Sequence, residues 1–282
     1  MIVKNAAGII GECLERLPDQ ISEINIIDTG SGDNTVEIAS KFTDRIFNLE
    51  WPDNFSAARN FSLSKASLEW VMVLDSDEFL EYPEKVHDFL HGAADVNYWD
   101  CLHIPVSHEQ IQWSDFPECI KDIRPREINR KPVLFRNSPR LKYKGRVHEE
   151  LMINDFRATD TGLRIFNLCD TARTSEKDAF YRRLEVIEIE DGVLRENVVL
   201  LLLDSLLEEN NLDAISQFFK KHEFFTIKHS RLFCERLAVK MARKRFLSGA
   251  ESLLSILRRN FPDDNSIDDL LEKIRQARKQ LE

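Results

Sequence analysis

Long apolar runs are missing from this sequence. The longest strongly apolar stretch, Val198 to Leu203, stops at Asp204 and is far too short to cross a bilayer. The opening Met1-Ile2-Val3-Lys4-Asn5 is not expected to be a signal peptide, because its basic residue follows the apolar ones and no apolar core comes next. Cysteine is sparse: Cys13, Cys101, Cys119, Cys169 and Cys234 are scattered without a CxxC. That pattern argues against a disulfide framework or zinc ribbon and fits a reducing compartment, so a cytoplasmic location is expected. Neither a GxGxxG string nor a Walker A motif occurs. Positive charge is also in deficit, with 39 Lys and Arg against 49 Asp and Glu and a formal net charge of -10. Nucleic acid is therefore not an expected partner.

What is present describes a globular chain. It has 282 residues, 43% hydrophobic and 31% charged, enough to bury a large core and a second, smaller one. The first half alternates strand and helix signals. Ile24–Ile27, Arg45–Leu49 and Trp70–Leu74 read as short strands, and Ser56–Ala66 reads as a helix. Another helix should follow Asn34, with Glu37 closing a capping box. Strands separated by helices predict a mostly parallel sheet covered on both faces, with ligands beyond the carboxyl ends of its strands. Asp28 and the cluster Asp75 to Glu78 fall at that edge.

The middle of the chain is less regular, with candidate strands at Cys101–Val106, Pro132–Phe135 and Leu163–Asn167 between proline-marked loops. Beyond Ser175, a plausible N-cap, only Gly192, Gly249 and Pro262 interrupt the chain, and helical periodicity takes over. Helices are expected near 176–190, 194–209, 212–222, 228–246, 249–260 and 267–281, with apolar stripes such as Leu253, Leu254 and Leu257. Successive short-linked helices suggest stacked hairpins or a repeat-like region that offers a surface to a protein partner.

Two motifs carry chemistry. In Leu74-Asp75-Ser76-Asp77-Glu78, two carboxylates one residue apart stand just beyond a strand. Such a pair can hold Mg²⁺ or Mn²⁺ and share it with a diphosphate. Taken alone, the string also reads as an acidic turn or helix cap. In Asp28-Thr29-Gly30-Ser31-Gly32-Asp33-Asn34-Thr35, a carboxylate at a strand end can accept hydrogen bonds from a base or ribose while glycine permits close approach. The same string also reads as a connecting turn. Residues 121–146 hold ten Lys or Arg against Asp122 and Glu127, a stretch that suits a phosphate-attracting cleft or simply faces solvent. Arg124, Arg126 and Arg130 are the candidates within it.

In order and spacing, the Asp28–Thr35 string, Trp51-Pro52-Asp53-Asn54-Phe55-Ser56-Ala57-Ala58-Arg59-Asn60 and Leu74–Glu78 resemble the family 2 glycosyltransferases of the GT-A fold. The closer resemblance is to the bacterial branch that includes the sublancin-type peptide S-glycosyltransferases. Met1–Asn5 resembles that family's first strand and turn, and Gly145-Arg146-Val147-His148-Glu149 its downstream Lys/Arg-x-His-Glu element. The likeness implies an α/β, GT-A-like nucleotide-diphospho-sugar transferase domain with a Rossmann-like sheet over residues 1–175, then an all-α region over 176–282. It implies an inverting, metal-dependent transfer of a hexose or N-acetylhexosamine from a UDP-sugar to a peptide side chain or glycan. Asp28, Arg59, Asp75, Lys4 and Thr29 would serve the nucleotide, and Asp77 the metal, with Asp75 reaching it directly or through water. His148 and Glu149 would lie on the acceptor side, with Glu149 as general base and Asp115 or Glu118 as substitutes. The chain departs from the family pattern at Ala6, where Glu is usual, at a short first strand, and at Asn167, where histidine is frequent. Those departures support an alternative, a degenerate sugar-nucleotide- or glycan-binding protein, and the C-terminal helices a second, a helical scaffold.

Overall fold

A computed structural model of the chain describes residues 1–18, 21–81, 83–86, 90, 101–111, 128–153, 157–160, 163–170, 175–209, 211–222 and 231–280. The chain divides into two compact units, Met1–Asp178 and Ala179–Glu282. The first is a mixed α/β domain and the second is all-helical, the fold class expected above and consistent with a GT-A-like architecture.

The N-terminal unit starts with β1 (Ile2–Val3), α1 (Ile10–Glu15), β2 (Ile26–Asp28), α2 (Thr35–Ala39) and β3 (Ile46–Asn48). The three strands form a parallel sheet in the order β1-β2-β3, and the helices are the crossovers that parallel pairing requires. Ile10, Ile26 and Ala39 are fully buried between helices and sheet. The helix α3 (Phe55–Leu63) follows, with Asn54 Oδ1 capping it by accepting from the Ala57 amide at 3.0 Å.

The capping box expected at Asn34 and Glu37 is not formed. Asn34 makes no side-chain cap bond, and the preceding residue does the work instead. Asp33 Oδ1 accepts from the Thr35 amide at 3.0 Å, and its Oδ2 accepts from the Ala7 amide at 3.1 Å. An ionised carboxylate satisfying amides of two segments offers more than a neutral amide capping one.

A second sheet takes up β4 (Trp70–Met72), β5 (Glu78–Leu80), β6 (Cys101–Ile111), β7 (Ile128–Arg136), β10 (Ala158–Asp160) and β11 (Ile165–Asp170), while β8 (Tyr143–Lys144) and β9 (Glu150–Leu151) make a separate hairpin. Here β6 runs parallel to β11 and β10 but antiparallel to β7, and β4 runs antiparallel to β7. Phe79 of β5 and Phe166 of β11 reach the core around β1 and α1, so hydrophobic packing ties the two sheets together.

The helix α4 (Ser175–Glu190) begins at the end of the first unit and continues into the second, which holds α5 (Glu196–Glu208), α6 (Leu212–Lys221), α7 (Arg231–Arg243), α8 (Leu247–Asn260) and α9 (Asn265–Lys279). Leu253, Leu254 and Leu257 are buried on α8, opposite Leu237 and Met241 of α7 and Ile267, Leu271 and Ile274 of α9. Ion pairs edge this core: Lys240 with Asp204 at 2.6 Å and Arg275 with Glu251 at 2.8 Å. Among the described residues no helix is long and apolar enough to cross a membrane.

Candidate active site

The site grows from strand ends. Where β2 stops, Asp28 is buried and both its oxygens accept from the Ser31 amide at 3.2 Å, with Oδ2 also accepting from Gly30 at 3.2 Å. Gly30 has φ 97°, a conformation that glycine adopts without a Cβ penalty, so the chain can fold back over its own carboxylate. Thr29 is drawn the other way. Its amide and hydroxyl both donate to the Val3 carbonyl, at 2.9 and 3.0 Å, which locks β2 onto β1. Asn5 closes the turn by accepting from the Gly32 amide at 2.8 Å. Lys4 is exposed just after β1. Ala6 is buried, and its amide donates to Thr35 Oγ1 at 2.7 Å.

Beyond β4, Asp75, Ser76 and Asp77 form the turn into β5. Glu78 begins that strand and is almost wholly buried; its Oε2 accepts from the Asp75 amide at 3.0 Å, pinning the turn from below. Cys13 of α1 also lies beneath it, donating through Sγ to the Glu78 carbonyl at 3.5 Å. Burial, and then the charges of Asp77 and Glu78, push the Cys13 thiol up to about 12, so it stays protonated as a packing group.

Arg59 sits at the centre. It projects from α3, is 6% exposed, and donates through Nη2 to Asp75 Oδ1 at 2.5 Å and through Nε to Glu149 Oε1 at 3.0 Å. Its Nη1 is buried with no hydrogen-bond partner, an unsatisfied donor that a bound anion would satisfy. Glu149 is brought in by the β8–β9 loop, where Gly145 (φ 103°) and His148 (φ 49°) both adopt left-handed backbone. That loop is anchored to α3. Asn60 Nδ2 donates to the Tyr143 carbonyl at 3.0 Å, and Asn60 Oδ1 accepts from its amide at 2.8 Å.

Lys131 of β7 completes the network, donating to Glu78 Oε1 at 2.8 Å and to Asp75 Oδ2 at 3.4 Å. Burial alone would raise the Asp75 carboxyl, but the Arg59 and Lys131 charges hold it well below the usual carboxylate range. Asp77 has the opposite fate. Burial, with the neighbouring Asp75 and Glu78 charges added, pushes its carboxyl up to about 6.

This arrangement tests the implied metal. Asp75, Asp77, Glu78 and Glu149 bring four carboxylates against Arg59 and Lys131, and at Asp77 burial and the repulsion of Asp75 and Glu78 outweigh the charge of Lys177. A divalent cation at Asp77 would relieve that repulsion. Among the described residues no group of three or more His, Cys, Asp or Glu is placed to hold a metal alone. The donor set thus suits Mg²⁺ or Mn²⁺ only with substrate oxygens as further ligands, the usual habit of Mg²⁺.

The structure therefore brings Arg59, Asp75, Asp77 and Glu149 into one cluster, while Asp28 and Thr29 stand at the end of β2 in the other sheet. Lys131 and the bracing role of Glu78 escaped the sequence reading. The only signal for Lys131 was its place in the basic stretch, on a strand that pairs with β4. Asp115, Glu118, Arg124 and Arg126 lie outside the described residues, and Arg130 is placed only as a β7 residue.

The chain is 31% identical over 149 residues to a TPR repeat-containing protein of Synechococcus elongatus, covering 53% of this chain and 34% of that one. It is 30% identical over 156 residues to the SPbeta prophage-derived glycosyltransferase SunS of Bacillus subtilis, covering 54% of this chain and 34% of SunS. The matches thus span about a third of the length of these two relatives. The lipopolysaccharide core biosynthesis glycosyltransferase LpsC of Rhizobium meliloti is 25% identical over 162 residues, covering 54% of this chain and 55% of LpsC. The structure of S. aureus TarS 1–349 in complex with UDP aligns over 100% of this chain and 91% of that chain at 16% identity, with a TM-score of 0.42. Residues 1–137, just under half of the chain, match the profile of glycosyl transferase family 2.

Proposed function

We propose that this protein transfers a sugar, a hexose or N-acetylhexosamine, from a UDP-sugar to a peptide side chain or glycan, with inversion at the anomeric carbon. The observation that carries the reading is Arg59. A buried guanidinium with one unsatisfied donor, fixed between the acidic turn and the β8–β9 loop, is built to meet an anion between them. A nucleotide diphosphate fits that demand. Asp28 and Asp75 orient the nucleoside, Asp28 from the β2 end and Asp75 from its clamp between Arg59 and Lys131. Thr29 and Lys4 shape the same edge, Thr29 by holding β2 to β1.

Asp77 would hold Mg²⁺ or Mn²⁺, with Asp75 reaching it through water. When bound, the ion supplies charge stabilisation to the departing diphosphate. Glu149 takes the acceptor proton as the acceptor oxygen or sulfur attacks, with His148 orienting it from the same loop. Its anchoring by Arg59 links acceptor activation to the donor side. The helical unit offers a surface to a protein, which favours a peptide Cys, Ser or Thr over a free glycan.

Release of UDP and free monosaccharide from a panel of UDP-sugars with Mn²⁺ tests the reading. Slow hydrolysis supports it; absence of donor binding, hydrolysis and transfer across the panel overturns it. Nucleotide binding without any turnover would instead favour a degenerate binder, a reading motivated by buried Ala6 at the position where the family usually has Glu.

A further inference from the structure

Asp75 is the carboxylate that a metal would be expected to share with Asp77, yet a cationic side chain already flanks each of its oxygens. Oδ1 accepts from Arg59 at 2.5 Å and Oδ2 from Lys131 at 3.4 Å. The two cations differ in what holds them. Arg59 is buried at 7% side-chain exposure and bound on its far side by Glu149, so it cannot leave. Lys131 is 32% exposed, is secured chiefly by Glu78 at 2.8 Å, and makes the longer and weaker bond to Asp75. It is the movable member of the network, a point charge on a flexible stem.

We propose that Lys131 acts as a positioning residue that withholds Asp75 from divalent cations until a nucleotide diphosphate is present. The inference rests on the metal-assisted reading of the site given above. In the nucleotide-free protein the Lys131 ammonium occupies one flank of Asp75, and Asp77 alone offers too few oxygens for a hard cation. A diphosphate brings its own oxygens, and its negative charge gives Lys131 a second partner, so the Lys131–Asp75 bond can be exchanged. Metal binding thereby becomes conditional on the donor, which excludes non-productive metal from the empty site.

The experiment is titration of Mn²⁺ alone, followed by loss of the free-ion paramagnetic resonance signal, into the wild-type full chain and its variants. Lys131→Met should raise nucleotide-free Mn²⁺ affinity at least about tenfold, the worth of one charge-assisted bond. Lys131→Arg, which keeps the charge, should stay near wild type. Because Lys131→Met leaves buried Glu78 without its cation, K131M/E78Q is the companion variant that keeps the buried charges balanced, and it should show the same gain. Adding Asp77→Asn to either should abolish the gain. Unchanged Mn²⁺ affinity in folded K131M/E78Q overturns the proposal, as does tight nucleotide-free binding by wild type or no measurable binding by any variant. None of these outcomes depends on UDP. A failure of wild type to bind UDP in a parallel titration would instead count against the glycosyltransferase reading itself.

Discussion

Asp77 and Glu149 are the residues whose chemistry can be tested one at a time. Asp77→Asn keeps the side chain's size but removes the charge that suffers from Asp75 and Glu78. It should lower Mn²⁺-dependent UDP affinity at least about tenfold and nearly abolish turnover, with little effect on UDP binding in chelator. Calorimetric titration of UDP with Mn²⁺ and with chelator checks this, and equal affinities in wild type and variant would remove Asp77 from the site. The sign of the pH dependence follows from the same carboxyl. Its value of about 6 lies above the ordinary one, so the folded protein keeps a proton there that the unfolded chain has lost. Stability from this group is present below the unfolded value and lost as pH rises through about 6. Mn²⁺ must displace that proton, so metal affinity in the presence of UDP should climb from pH 5 and level off above about 6, while Asp77→Asn should flatten the rise. Glu149→Gln should preserve donor binding and cut kcat for transfer by about a hundredfold, the usual worth of a general base. A kcat near wild type at saturating donor and acceptor would show that Glu149 serves only to hold Arg59.

At the scale of elements, the site depends on α3 and the β8–β9 hairpin being held at a fixed separation. Asn60 supplies that tether with two hydrogen bonds to the Tyr143 backbone, and Arg59, one residue earlier, then reaches Glu149. Asn60→Ala leaves an amide and a carbonyl beside the half-buried α3 end without partners. It should cost about 1–3 kcal/mol in urea unfolding. It should also raise KM for the donor more than it lowers kcat, since Arg59 loses its alignment with Glu149. Steady-state kinetics on UDP-sugar hydrolysis would separate the two effects, and unchanged KM would show that the hairpin is held by other means. Strands β2, β3 and β4 were legible from short apolar runs, with bounds displaced by a residue or two, whereas β6 and β7 run four or five residues beyond the apolar runs and β5, β8, β9 and β10 carry no such run. The cap of α2 was misread because Asp33, one residue before the expected cap, is recruited by Ala7 from 26 positions away.

On the scale of the whole molecule, the chain divides into two compact units, and a lesion inside the helical one should leave the donor chemistry of the other intact. Leu254→Ala in α8 empties a fully buried position and should cost about 2–5 kcal/mol of stability in the helical unit. UDP affinity of the folded protein should remain at the wild-type value, as measured by calorimetry below the unfolding transition. A parallel loss of affinity would mean that the helices support the donor site directly. The sequence by itself determined the class of each half. Short apolar runs with helices between them leave little choice but a layered α/β unit, and helical periodicity past Ser175, with little glycine or proline, leaves little but helices. It also determined the candidate acidic turn and the Asp28 turn, because those are contiguous strings at strand ends. Only the tertiary structure decided which charges meet. Arg59 finds Glu149 across 90 positions and Lys131 finds Asp75 across 56. Local pattern records what a residue is and which face it occupies, whereas ion-pair partners are set by how sheets and hairpins stack. The same stacking makes Asp75 a clamped carboxylate and leaves Asp77, two residues on, with the repulsion a metal would relieve.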